Sequence, residues 1–454
     1  LRIIVIGAGE VGFNVARRLA SENKDVVVID LQSSALKRVS ETLDVQTIKG
    51  SGSSPEVLKK AGIENADILL AVTDKDEINL LASFFANKIS SDLIKLARVR
   101  NDDYISYSDM FQSGDLNIDT IINPDQEVVE SILRLMSVPG AVEINEFVNG
   151  EVRLIGVKIP EASPLSGVLL KNIKDSLGDI NVVVAALVRE DRLIIPGGED
   201  RIKEGDIVYF TCINKNQTTL LKSAGILTEP VHKVLIVGGG NVGYLLAQTL
   251  DNRKYHTRLL ECNPDRCEFL SENLNRVIVL QGDGTDQELL KEENIGEMDM
   301  VISVTGDEEM NILTCLLAKK MGARKTITRI NNFAYMPLIQ PLGIDHLVCP
   351  RLSAINSILR FVRRGKVLSA VSIKGDEAEV LEAIAQEKSK IVGKPIMDLG
   401  LPKGSLILCF QRGDKVIIPT GMTVIEPQDR LLIISTRSTI PDIEEALTTT
   451  LEFF

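Results

Sequence analysis

The sequence predicts an α/β protein: two doubly wound parallel-sheet domains in tandem, each followed by a small α+β domain. Three observations carry that expectation. A β-branched run that turns through Gly-x-Gly-x-x-Gly into an amphipathic stretch occurs twice, at residues 3–12 and 234–243. Apolar runs of strand length then alternate with helical patterns after each copy. The landmarks of the first half return in the second at a near-constant spacing.

In chain order, the first strand Ile3-Ile4-Val5-Ile6 leads into a helix that places Val11, Val15 and Leu19 on one face, with Ala16 and Ala20 beside them. Further strands are expected at residues 26–30, 45–49, 68–73, 93–99 and 120–122. Continuous apolar strands separated by helices imply a parallel sheet covered on both faces. Residues 124–138 read as a connecting helix with apolar positions at Val128, Val129, Ile132, Leu133 and Met136. The texture then changes. Strands near 152–157, 182–188 and 207–210 surround one helical piece near 165–176, and the turn Pro196-Gly197-Gly198 interrupts them. The polar stretch from Asn214 to about Pro230 reads as a linker.

After the linker the plan restarts. Gly238 answers Gly7 (238 − 7 = 231), Glu261 answers Asp30 (261 − 30 = 231) and Arg329 answers Arg98 (329 − 98 = 231). Asn311 answers Asn79 (311 − 79 = 232), while in the small module Asp429 answers Asp206 (429 − 206 = 223). The chain is therefore read as four domains, at residues 1–123, 140–223, 232–349 and 366–450. Helices at 124–138 and 350–364 connect each pair. Ile132, Leu133 and Met136, with Ile355, Ile358 and Leu359, are expected to form a seam for subunit contacts.

Bulk properties narrow the function. A net charge of −12 argues against nucleic acid or an anionic lipid surface as the main partner, since both reward cations. The longest uncharged apolar run, residues 182–188, is far below the roughly 20 residues that span a bilayer. Six dispersed cysteines with no Cys-x-x-Cys pair read as small buried hydrophobes, and three scattered histidines give no metal-ligand spacing.

The glycine motifs have the chemistry of a phosphate cradle. The first glycine permits a tight turn, the second lets backbone approach a pyrophosphate, and the third lets helix and strand pack closely. The helix N-terminus then faces the anion. In the first copy these are Gly7, Gly9 and Gly12, with Ala8, Glu10 and Val11 between them; in the second, Gly238, Gly240 and Gly243, with Gly239, Asn241 and Val242. Asp30 and Glu261 each lie 18 residues past the third glycine (30 − 12 and 261 − 243), at a strand end, where an acid binds ribose hydroxyls and favours an unphosphorylated ribose. Gly50-Ser51-Gly52 and Gly282-Asp283-Gly284 follow the third strands, bordering the ligand or simply turning the chain. Thr73 and Thr305 end the fourth strands, where a hydroxyl reaches a ligand or caps a helix. The acids Asp74, Asp76 and Glu77 suit the first turn of the next helix. Arg98 and Arg329 end the fifth strands, where a guanidinium suits bidentate phosphate recognition or a surface ion pair. A Ser-His-Asp set, paired hydrolytic carboxylates and a Walker lysine are all missing from the sequence.

A Gly-x-Gly-x-x-Gly domain, a connecting helix and a small α+β module, repeated in tandem, resemble the family of domains that regulate potassium conductance (the RCK, or KTN, domains). The segments Ala97-Arg98-Val99-Arg100-Asn101 and Thr328-Arg329-Ile330-Asn331-Asn332 resemble that family's strand-five region. The resemblance implies Rossmann-like domains that are regulatory and not enzymatic, with NAD(H) and/or ATP/ADP as ligands. It implies a cytoplasmic protein, peripheral on the membrane through a Trk-type integral membrane potassium-conducting subunit, and a homotetramer forming a ring of eight repeats. By position, the first site would involve Gly7 to Val11, Asp30, Ser51, Gly52, Thr73, Asp74 and Arg98. The second would involve Gly238 to Val242, Glu261, Thr305 and Arg329. Glu261 is longer than the family's acid and Gly306 is inserted after Thr305, so the two rims are not expected to be identical. Two alternatives stand beside this: an NAD-dependent dehydrogenase with a duplicated cofactor domain, and a ring-forming scaffold without ligand.

Overall fold

The computed structural model describes residues 1–114, 116–178, 180–226, 229–253, 255–362, 367–374 and 377–447. The expected end of the second connecting helix at Arg364, and the limits placed at 366 and 450, lie outside the described residues. The first sheet comprises β1 (Arg2–Ile6), β2 (Asp25–Asp30), β3 (Gln46–Lys49), β4 (Ile68–Ala71), β5 (Ile94–Arg98) and β6 (Thr120–Ile122). Their order is β3-β2-β1-β4-β5-β6 and all pairings are parallel. Side chains alternate across the sheet as a doubly covered strand requires: Ile3 and Val5 join one apolar cluster, Ile4 and Ile6 another.

A five-stranded antiparallel sheet follows, formed by β7 (Glu143–Phe147), β8 (Val152–Lys158), β9 (Val182–Arg189), β10 (Arg192–Ile194) and β11 (Ile207–Ile213), in the order β10-β9-β11-β8-β7. The plan then repeats. β12 (Lys233–Val237), β13 (His256–Glu261), β14 (Ile278–Gln281), β15 (Met300–Ser303), β16 (Lys325–Arg329) and β17 (His346–Val348) take the order β14-β13-β12-β15-β16-β17. The last sheet contains β18 (Val367–Ile373), β19 (Ala378–Ile384), β20 (Ser405–Arg412), β21 (Lys415–Ile417) and β22 (Arg430–Thr436), ordered β18-β19-β22-β20-β21. The tandem doubly wound architecture, with a small module after each sheet, is thus as the sequence predicts. The two small modules share one apolar layer, in which Phe147, Val152 and Leu154 meet Val380, Leu432 and Ile434.

Four helices open the glycine cradles or leave the parallel sheets: α1 (Glu10–Ser21), α2 (Pro124–Ser137), α3 (Asn241–Asp251) and α4 (Pro350–Val362). The chain forms two compact units. One joins Leu1–Val129, Arg329–Phe333 and Val348–Val362; the other holds Glu130–Thr328, Ala334–Leu347 and the described part of 363–454.

Three expectations are corrected at the level of packing. The supposed linker carries a helix, Gln217–Ser223, whose Leu220 and Leu221 are buried in the core of the first small module. The helical piece expected over 165–176 is confined to a 3₁₀ turn at Leu170–Asn172 and a short helix at Ile173–Leu177. Ile355, Ile358 and Leu359 do not form a seam between subunits. They pack with Ala354 and Val362 against Val11, Val15 and Leu19 of α1, so the second connecting helix closes the core of the first domain. The cysteine reading holds for Cys212, Cys315, Cys349 and Cys409, but Cys262 is exposed.

Candidate functional site

Strand β1 ends at Gly7, whose φ of +103° is the left-handed conformation that favours glycine. Its N–H donates to the Ile29 carbonyl at 2.8 Å, which holds the turn against β2. A Cβ on Gly12 would lie 1.8 Å from the Gly7 carbonyl oxygen, so α1 starts hard against the turn. A Cβ on Gly9, the N-cap of α1, would meet nothing within 4 Å. The three glycines therefore divide the work as the motif demands: turn, open approach and close packing.

That open side is a cavity of about 610 Å³ at the carboxyl ends of the strands, at the point where the order reverses between β1 and β4. Doubly wound sheets place ligands in this crevice. Of the residues expected at the first site, Gly7, Gly9, Glu10, Val11, Asp30, Ser51, Gly52, Thr73, Asp74 and Arg98 line it. Ala8 stands just behind, giving its N–H to Asp30 Oδ2 at 2.6 Å, while the Gln32 N–H donates to Asp30 Oδ1 at 2.7 Å. Two main-chain donors thus aim the carboxylate and leave it lone pairs for further donors.

Asn79 organises the opposite rim and was visible in the sequence only as a matched position. Fully buried, it accepts the Thr73 N–H at 2.9 Å and the Thr73 hydroxyl at 2.7 Å on Oδ1. Its Nδ2 donates to the carbonyls of Thr73 at 3.1 Å and Arg98 at 2.8 Å, pinning the ends of β4 and β5 together. The Thr73 hydroxyl is therefore engaged inside the protein. Asp76 also differs from expectation: its Oδ2 accepts the N–H groups of Arg100 and Asn101 at 2.9 and 2.8 Å, so it shapes the loop after β5 as well as beginning a helix.

Arg98 crosses the rim and donates from Nη1 to the Thr73 carbonyl at 3.3 Å. Burial, and then the neighbouring Arg100 charge, hold its pKa below the ordinary arginine value. Arg100 itself lies 3.7 Å from Asp125, a buried carboxylate at the start of α2. Arg329, expected at the second site, lines this first cavity together with Asn331, Pro350 and Arg351. Arg100, Asp125 and Arg351 carried no motif in the sequence.

The second cradle repeats the backbone. Gly238 has φ +103°, a Cβ on Gly243 would lie 1.9 Å from the Gly238 carbonyl oxygen, and Gly240 faces open space. Glu261 accepts the Gly239 N–H at 2.6 Å and the Asn263 N–H at 2.8 Å. Although burial opposes it, these N–H donors hold its carboxyl below the ordinary glutamate pKa. Asn311 receives the Thr305 N–H and hydroxyl, each at 2.8 Å. Asn241 and Val242 open α3 as Glu10 and Val11 open α1. The side chains around it differ. Arg266 occupies the position answering Ala35 (266 − 35 = 231), which lines the first cavity. Its Nε donates to the Gly239 carbonyl at 2.7 Å, and its guanidinium lies 4.5 Å from the Phe269 ring centre and 5.4 Å from that of Tyr244. The rims are unequal, with a cation beside the second glycine turn and a methyl group at the first. Among the described residues no cluster of His, Cys, Asp and Glu could hold a metal ion.

Residues 3–124 and 234–350 match the model of the TrkA-N domain, and residues 154–225 and 380–448 that of the TrkA-C domain. The chain is 38% identical to the Trk system potassium uptake protein TrkA of Halomonas elongata, over 100% of both chains. It is 36% identical to the protein of that name from Vibrio alginolyticus, over 98% of both. Among solved structures, the GsuK RCK domain superposes with a TM-score of 0.60 at 16% identity, covering 98% of this chain and 94% of that one. The GsuK channel bound to NAD gives the same TM-score and identity, covering 98% and 78%. At that identity the likeness to GsuK is one of fold.

Proposed function

The chain belongs to the TrkA family of Trk-system potassium uptake proteins, and on that premise we propose that it is a nucleotide-binding regulatory subunit that gates a separate, Trk-type membrane potassium-conducting subunit. Among the described residues no helix is long and apolar enough to cross a membrane, so a potassium path belongs to a partner chain. The four domains read from the sequence are the working units: two nucleotide cradles and two small modules. The ligands are NAD(H), ADP or ATP, held at the first cradle by the N-terminus of α1, Asp30, the Ser51–Gly52 turn and Arg98. Gly238 to Gly243, Glu261 and Thr305 hold the second, with a different preference set by Arg266. The assembly is a homotetramer that presents a ring of eight repeats to the membrane subunit.

The observation that carries this reading is the first cavity itself. A positive helix end, an aimed carboxylate and a guanidinium converge on open space that the missing Cβ of Gly9 leaves clear. The ligand acts by binding more tightly to one arrangement of the ring than to another, which shifts the gate by that difference in affinity. Calorimetry of the full chain with NAD(H), ADP and ATP tests binding; potassium flux through the membrane subunit, with each nucleotide added in turn, tests gating. A chain that binds none of the three is a scaffold. Turnover of a bound nicotinamide with a small substrate would establish the dehydrogenase alternative.

A further inference from the structure

The first cavity is lined by more positive charge than a dinucleotide needs, and part of that charge comes from the second repeat. Arg98 and Arg329 hold corresponding positions in the two repeats, yet both line this one cavity, together with Arg100 and Arg351. The second-repeat residues are built in. Arg351 is in the first turn of α4, whose Ala354, Ile355, Ile358 and Leu359 pack on α1. The Ile330 N–H donates to the Val348 carbonyl at 2.9 Å, tying the segment after Arg329 to the start of that helix.

Neighbouring carboxylates do not consume these charges. Asp30 is aimed by the Ala8 and Gln32 N–H groups, and Glu10 pairs with Arg38 outside the set. Asp125 reaches Arg100, at 3.7 Å. Arg351 gives one N–H to the Asn331 carbonyl at 3.3 Å and Arg98 one to Thr73; among the described residues neither has a carboxylate within ion-pair distance. The Nε atoms of Arg98 and Arg100 are buried without an acceptor. Buried donors normally find partners, so these point to an acceptor that arrives with a ligand.

Taking the first cradle as a nucleotide site, on which this assignment rests, we propose that Arg329 and Arg351 of the second repeat join Arg98 and Arg100 to read the free end of a phosphate chain. The site then favours a nucleoside di- or triphosphate over a dinucleotide. In a dinucleotide both phosphates are esterified at each end and satisfied by the helix N-terminus, whereas a terminal phosphate carries extra charge and three oxygens suited to guanidinium forks. Its occupant would touch both repeats, so the charge state of the nucleotide would be felt directly by the second half of the chain.

The test is calorimetry on the full chain carrying Gly240→Val, which silences the second cradle at a position where a side chain meets nothing. ATP, ADP and NAD are titrated into this background and into the same protein with Arg351→Gln, Arg329→Gln or Arg351→Lys. The expected result is a loss of about tenfold or more for ATP with either glutamine variant, a smaller loss for ADP, and a change within about twofold for NAD. Arg351→Lys, which keeps the charge without the fork, retains part of the ATP affinity. Unliganded melting temperatures and NAD binding report on folding independently of the ATP effect. An unchanged ratio of ATP to NAD affinity in both glutamine variants overturns the assignment while leaving the nucleotide site intact. No binding of any nucleotide by the Gly240→Val background and by the unmodified chain overturns the site itself.

Discussion

Gly12 approaches Gly7 so closely that a Cβ on it would lie 1.8 Å from the Gly7 carbonyl oxygen, whereas Gly9, between them, faces nothing within 4 Å. Two glycines of one motif therefore serve opposite purposes, and substitution separates them. Gly12→Ala must push helix from strand and is expected to cost on the order of 3 kcal/mol, the upper range for overpacking. Gly9→Val should leave thermal stability nearly unchanged and abolish nucleotide binding at the first cradle. Melting curves and calorimetry on the two variants check this; a Gly9→Val protein that still binds at the first cradle would show the ligand to lie elsewhere.

Asn79 is expected to be the most sensitive single polar residue of the first rim. It is fully buried, and its removal strips acceptors from the Thr73 N–H and hydroxyl and a donor from the Thr73 and Arg98 carbonyls. Asn79→Ala should destabilise by about 2–4 kcal/mol, the cost of leaving buried groups unpaired. Asn79→Asp should be worse, because it sets a carboxylate against two carbonyl oxygens. Urea unfolding measures both.

Each small module carries a forked Arg–Asp pair at the same place. Arg189 grips Asp206 at 2.9 and 2.7 Å, and Arg412 grips Asp429 at 2.8 and 2.6 Å, both carboxylates being buried. Asp206→Ala or Asp429→Ala leaves an arginine without its partner and frees main-chain donors at Lys203 or Glu426. A loss of roughly 3 kcal/mol is expected in either module. If denaturation of both variants matches wild type, the pairs are ornamental.

His346 sets a pH dependence of stability. Burial, and then the positive charge of Lys325, push its pKa down to about 4 from an ordinary 6.5. Below the unfolded pKa the unfolded chain takes up a proton that the folded chain refuses, so the unfolded state gains as pH falls. Stability from this residue is complete above pH 6.5 and is lost between there and about pH 4, by roughly 3 kcal/mol. His346→Gln should flatten that part of the stability–pH curve in chemical denaturation; an unchanged slope would place the titration on other groups.

Much of this protein is local, and the local part was legible. The glycine spacing, the acid at the end of β2 and β13, and the apolar periodicity of α1 follow from short-range chain geometry, and repetition of every landmark doubled each signal. The small modules were less legible. Edge strands β7 and β10 are short and carry few apolar residues, and Gln217–Ser223 looks polar because only Leu220, Leu221 and the residues just after them face the core.

The side-chain set of each cradle was decided over longer range. No periodicity states that Ile355 and Ile358 will pack on Val11 and Val15, for burial of an apolar stripe specifies that it be covered and not by which segment. That contact carries Arg351 to the first cavity, where Arg329 also arrives, and changes its charge. Likewise Arg266 and Ala35 occupy one position in two repeats, but only packing against Tyr244, Phe269 and the Gly239 carbonyl shows that the cation stands beside the second turn. Two cradles with one backbone are predictable from the chain alone. Their inequality is a property of tertiary packing, because charge acts through space and each rim collects its charges from segments far apart in sequence.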